Sequence, residues 1–128
     1  MVAKEVAELE INKWLDYKRV KDKKREAYKD AIETLIDAVS EGYLVVNEDF
    51  TLTHSLAFPV GAEGAFKELV YKPRIDVATI QKYANGAIGG DARVLATIAA
   101  LSGQATTIIS KMDTEDYGIA SSVAIFFL

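Results

Sequence analysis

Ala100-Leu-Ser-Gly-Gln-Ala-Thr-Thr-Ile-Ile-Ser-Lys-Met-Asp-Thr-Glu-Asp-Tyr117 is the stretch on which the reading of the chain turns. It spells helix, stop, short helix, cap, final helix. Arg93 to Leu101 is helix-forming, and Ser102-Gly103 stops it, because glycine enters the left-handed conformation without steric penalty. Ile108 and Ile109 give a short second helix an apolar edge. Asp113 stands where an N-cap carboxylate accepts unpaired backbone N–H groups, and Glu115 and Asp116 follow where the helix dipole favours acids. Met112 and Tyr117 flank the cap at the spacing of a hydrophobic staple. From Gly118 to Leu128 the chain is apolar on almost every side, with Ile119, Ala120, Val123, Ala124, Ile125, Phe126, Phe127 and Leu128. Such a helix needs a groove, made by the rest of the domain or by another chain. It reads as a packing and docking device.

Upstream, Asp76 is placed to cap a helix running through Tyr83 and stopped at Asn85-Gly86, and Asp91 to cap the next. Before Pro73 the pattern alternates. Tyr43 to Val46 and Phe50 to Thr53 flank Asn47-Glu48-Asp49, the pattern of a hairpin. Leu56 to Val60 and Ala65 to Tyr71 form a second strand pair around Gly61-Ala-Glu-Gly64, a turn with two positions able to take positive φ. Pro59 removes a ladder donor, which places its strand at an edge.

Residues 3–40 hold neither proline nor glycine and read as one long helix closed by Glu41-Gly42, the alternative being a bend into a hairpin at the basic cluster between its two apolar faces. One stripe runs through Val6, Leu9, Lys13, Tyr17 and Val20, flanked by Ile11, Trp14 and Leu15. A second apolar face follows at Ile32, Leu35, Ile36 and Val39. Between them Lys18, Arg19, Lys21, Lys23, Lys24 and Arg25 form a basic cluster opposed within it by Asp22 alone.

The chain has 128 residues, the size of one domain with room for a core. Half the residues are hydrophobic and no cysteine is present, which excludes disulfides and thiolate metal sites. Lys4, Glu5, Glu8 and Glu10 argue against a signal peptide. The apolar run Val123 to Leu128 is far short of the ~20 residues of a membrane span. The net charge of −4 disfavours nucleic acid as the main partner.

No catalytic constellation emerges. His54 is the only histidine and, without a second one or a cysteine, reads as structural. Ser55 beside it lacks the sharp elbow of a nucleophile. Gly86-Ala-Ile-Gly89-Gly90 lacks the lysine and hydroxyl of a phosphate loop and reads as a helix connector. The acids Asp113, Glu115 and Asp116 read as capping groups rather than cation ligands. No cofactor and no metal is expected.

The order Leu101-Ser102-Gly103, Ile108-Ile109, Met112-Asp113, Asp116-Tyr117, Val123 and Phe127-Leu128 resembles the tail assembly chaperones of Mu-like contractile-tailed phages. Leu56 and Pro59, Glu68-Leu69, Pro73-Arg74 and Asp76 are similar to that family's strand-turn-strand lead-in. The resemblance covers roughly Leu56 to Leu128. It implies a non-enzymatic protein of the host-cell cytoplasm that binds the tape measure protein, keeps it soluble and assists tail tube protein in assembling around it.

The sequence therefore predicts an α+β fold in one domain, 1–128. It comprises a helical extension at 1–41, two β-hairpins at 43–72 and a bundle of three to four short helices at 75–128. The expected partner-binding residues are Trp14, Tyr17, Tyr117, Val123, Phe126, Phe127 and Leu128, with self-association into a homo-oligomer. The alternative function is a small nucleic-acid-associated or regulatory protein acting through Lys18–Arg25.

Overall fold

Three helices stand where the unbroken pattern of residues 3–40 predicts one. In a computed structural model that describes residues 1–86 and 89–128, α1 runs Lys4–Tyr17, α2 Asp22–Ala27 and α3 Lys29–Glu41. The break falls inside the basic cluster. Arg19 takes a left-handed φ of 60°. The Val20 N–H donates to the Leu15 carbonyl at 3.0 Å, and Arg25 Nε donates to the Val20 carbonyl at 2.9 Å. The physical reason is burial. A straight helix of this length would span about 57 Å at 1.5 Å per residue, leaving its apolar faces far apart. Folding back lays α1 antiparallel to α3 and joins Ala7, Ile11, Trp14 and Leu15 with Leu35 and Ala38 in one core. The open end of this pair is tied by Val2 N–H to the Ser40 carbonyl at 3.1 Å, and by Ser40 Oγ donating to the Val2 carbonyl at 2.9 Å. Residues 1–41 are thus part of the core and not an extension. Gly42, at φ 88°, closes α3.

The buried face of α1 also differs from the stripe the spacing picks out. Ala7, Ile11, Trp14 and Leu15 are sealed, while Val6 and Leu9 stand 45% and 62% exposed. Both stripes are apolar, and the one carrying the indole removes more surface from water.

The sheet is a three-stranded antiparallel meander in the order β1 (Leu44–Val46), β2 (Leu52–Val60), β3 (Phe66–Tyr71). Both expected turns form, but the inner strands of the two expected hairpins are one continuous strand. Leu44 pairs with His54 and Val46 with Leu52 across one side of β2; Leu52 pairs with Tyr71 and His54 with Leu69 across the other. Leu52, His54 and Leu56 alternate inward, as period-two patterning requires. β2 is the central strand, so Pro59 does not lie on an edge strand. It sits beyond the end of the short β1, where the register with β3 slips between Ser55 and Val60. A slipped stretch has no regular ladder for proline to break.

Helices α4 (Val77–Ala84), α5 (Gly90–Ser102), α6 (Thr106–Ile109) and α7 (Thr114–Ala124) follow, with a 3₁₀ turn at Ile125–Phe127. Asp76 caps α4 by accepting from the Thr79 N–H at 2.8 Å and the Thr79 hydroxyl at 2.6 Å. α5 begins earlier than expected: Gly89 is its cap residue, and Asp91 falls inside the first turn. Gly103, at φ 71°, ends α5, and Asp113 caps α7 through the Glu115 N–H at 2.9 Å. Ala87 and Ile88, within the expected α4–α5 connector, lie outside the described residues. Among the described residues no helix is long and apolar enough to cross a membrane.

The core closes where the C-terminal turn meets the last turns of α1 and the start of α3. The Phe126 ring stands edge-on to Trp14 at 5.8 Å and to Tyr28 at 5.9 Å. Trp14 is fully buried, so Trp14→Ala is expected to lower the unfolding free energy by about 3–5 kcal/mol, read as a drop in the urea midpoint. A loss under about 1 kcal/mol, the size of an ordinary surface substitution, would place the indole outside the core.

Candidate functional site

The residues expected to receive a partner are mostly engaged within the chain. Trp14 and Val123 are fully buried and Phe126 is 4% exposed, so all three face this chain's own core rather than a partner. The groove demanded by the apolar C-terminal segment is the one formed by α1, α3 and α5. Tyr17 stacks on Phe50 with ring centroids 4.2 Å apart, and the Arg74 guanidinium lies 5.0 Å from its ring. Tyr117 is half-buried beside Met112, Leu95 and Ile109, where the expected staple residues share one surface cleft. Phe127 is half-buried under Lys18, whose Nζ sits 3.3 Å from the ring centroid; Leu128 is 48% exposed.

A polar cluster that local patterning does not reveal joins the sheet to α7. Asp116 is 1% exposed. Its Oδ1 accepts the Ala57 N–H at 2.9 Å and its Oδ2 the Phe58 N–H at 2.9 Å. Two consecutive amides point the same way because this is the slipped part of β2, and the carboxylate takes the place of a missing strand. The acid sits in the first turn of α7, where the helix dipole adds to the same effect. Asp113 caps as expected, Glu115 is an exposed first-turn acid, and Asp116 is a buried crosslink.

His54 lies beneath this crosslink, fully buried. Burial presses its pKa down to about 4, with the charge of Asp116 opposing the shift. Tyr71, on the diagonal across β3, is pushed up by burial, so its hydroxyl keeps its proton. We assign the Nε2–H tautomer. It directs the ring proton toward Asp116 Oδ1, 3.8 Å away, and lets Nδ1 accept the Tyr71 hydroxyl at 2.7 Å. This pair is walled from solvent, in keeping with a structural histidine. Among the described residues no three His, Cys, Asp or Glu side chains converge as metal ligands.

Three surface features remain. First, Val6 and Leu9 stand on the outer face of α1, exposed by 45% and 62%, and Val2, just before the helix, is 43% exposed. Val2 and Val6 border one shallow groove with Val45 of β1, itself half exposed. The spacing signal for this stripe is plain in the sequence, but two stripes compete on α1 and only packing chooses between them. Second, a cleft of about 440 Å³ opens between α3, β2 and α7, with Asp37, Glu41 and Glu115 around Tyr43, Phe58 and Ile119. Third, the basic segment is partly spent internally. Arg25 Nη2 binds Asp16 Oδ1 at 2.7 Å, and Lys18 is brought down to about 8 by burial first, then by the neighbouring charges of Arg74 and Lys24.

Comparison with known protein families, curated proteins and solved structures returned no match.

Two measurements check the buried cluster. Asp116→Ala leaves two amides without acceptors and is expected to cost about 2–4 kcal/mol of stability, whereas Glu115→Ala leaves the unfolding midpoint nearly unchanged. The second concerns pH. An imidazole that binds its proton near 6.5 when unfolded and near 4 when folded favours the folded state above 6.5, and that contribution is lost as pH falls from 6.5 to 4. Wild type is therefore expected to lose about 3 kcal/mol across that window on account of His54. His54→Asn keeps an acceptor for Tyr71 and should flatten the decline; an equally steep one would remove His54 as its cause.

Proposed function

We propose that this chain is a non-enzymatic phage tail assembly chaperone that binds the tape measure protein and assists tail tube assembly in the cytoplasm of the host cell. The ordered residues from Leu56 to Leu128 support the family resemblance. The observation that carries the binding half of the reading is the outward stripe Val2, Val6 and Leu9, next to Val45 on the sheet edge. Val6 and Leu9, one turn apart on α1, with Val2 and Val45 bordering the groove beside Val6, offer what the apolar face of an added helix requires. A helix-rich, apolar client offers such faces repeatedly. Covering them with a chain whose remaining surface is rich in charge, at a net −4, keeps the complex soluble.

This moves client contact from the C-terminal segment to the outer face of α1. The C-terminal aromatics hold α1 in place from within. The alternative, a nucleic-acid-associated or regulatory role for Lys18–Arg25, has less support, because Arg25 and Lys18 already have partners in the fold.

Val6→Asp combined with Leu9→Asp places two charges in solvent and should leave the far-ultraviolet circular dichroism unchanged. Co-expressed with the tape measure protein, the double variant is expected to lose most of the soluble client that wild type retains. Undiminished solubilisation would remove α1 as the client surface. Raising sulfate should hold or strengthen client binding, whereas phosphate contacts to nucleic acid would weaken steeply.

A further inference from the structure

The molecule is electrically polar along the α1–α3 pair. Over residues 16–26 there are six basic side chains against three acidic, and Arg74 is drawn in beside them by its contact with Tyr17. At the other end, residues 33–41 and 113–116 together carry six acids and no base. Lys4 lies 3.7 Å from Asp37 and 3.6 Å from Glu33, and among the described residues no basic side chain lines the cleft itself. The cleft acids Asp37 and Glu41 stand about 12 and 18 Å along α3 from its start at Lys29. That is beyond the Debye length of about 8 Å at physiological salt, so the cleft and the basic end are largely screened from one another within one molecule.

Each end also has an apolar centre inside its charged rim. The acidic cleft surrounds Phe58, 55% exposed, and Tyr43, 37% exposed. The basic end surrounds the half-buried Phe127 ring under Lys18, followed by the half-exposed Leu128. Apolar centre, charged rim and opposite sign are the complementary halves of one interface. We infer that copies of this chain associate head to tail, the basic end around Lys21, Lys23 and Phe127 of one copy seating in the acidic cleft between α3, β2 and α7 of the next.

The two surfaces differ, so the contact is heterologous and propagates into a ring or a chain of copies rather than closing as a two-fold dimer. Each added copy leaves the outer stripe of α1 free. The contact therefore stands or falls separately from the chaperone reading, whose test is retention of a client.

Charge reversal tests it on the full chain. One variant carries Glu41→Lys and Glu115→Lys, the other Lys21→Glu and Lys23→Glu; all four positions are exposed. Circular dichroism matching wild type establishes that each is folded. Sedimentation velocity at low salt is expected to show wild type larger than a monomer and reverting to one at high salt. Each variant alone should remain monomeric, because the reversed patch repels the unchanged patch it would seat against. An equimolar mixture should regain assembly, since each reversed patch then meets a reversed patch of opposite sign. A wild type that stays monomeric at low salt, a variant that assembles alone, or a mixture that fails to assemble would each overturn the proposal.

Discussion

The carboxylate of Asp116 is the constraint on which the rest of this structure depends. It accepts the N–H groups of Ala57 and Phe58 and fastens the first turn of α7 to the sheet at the place where β2 has outrun β1. Those amides would otherwise lie on a part-buried edge without a protein acceptor. Once α7 starts there, its direction is set. Ala120 and Val123 meet α3 and α5, and the following turn delivers Phe126 to the edge of Trp14. The indole in turn decides which face of α1 is inside. A polar contact at one end of a helix thus governs the apolar packing at the other.

The consequence for function is that α1 is apolar on two faces and spends only one. Ile11, Trp14 and Leu15 are committed to the core, and Val2, Val6 and Leu9 are left for something else. A protein that used Phe126 for a partner would have to open its own core to do so, at the cost of re-exposing Trp14. Using a spare face instead leaves the fold intact whether or not a partner is present. The same economy holds for charge. The fold turns a sequence whose first forty residues are neutral into a body with a basic end and an acidic end, because the chain reverses inside the basic cluster.

The buried polar pair beneath Asp116 shows how a histidine can look like chemistry and serve structure. His54 and Tyr71 join β2 to β3 through Nδ1 and the phenol hydroxyl at 2.7 Å and are sealed from solvent, while Nε2 faces Asp116 Oδ1 at 3.8 Å without a hydrogen bond. The Coulomb attraction of Asp116 is present, but desolvation outweighs it and keeps the ring neutral. The neutral ring then tolerates burial that a charged one would resist.

What the sequence determined by itself is local. The caps at Asp76 and Asp113, the stops at Gly42 and Gly103, and the turns around residues 47–50 and 61–64 are all legible, because each rests on the conformational preference of one or two residues. The mixture of helix and antiparallel sheet follows from the change in hydrophobic period. Tertiary structure alone decided the rest. No glycine or proline marks the reversal at Arg19; it is imposed because a straight helix could not bury both its apolar faces. The two expected hairpins fuse into one meander because β2 has an inner partner on each side. Asp116 is indistinguishable in sequence from its capping neighbours, since what separates it is a strand some sixty residues earlier in the chain that offers two free amides. The choice between the two stripes of α1 is of the same kind. Periodicity finds apolar faces, but only the competition among all of them for one core says which is buried and which is left exposed.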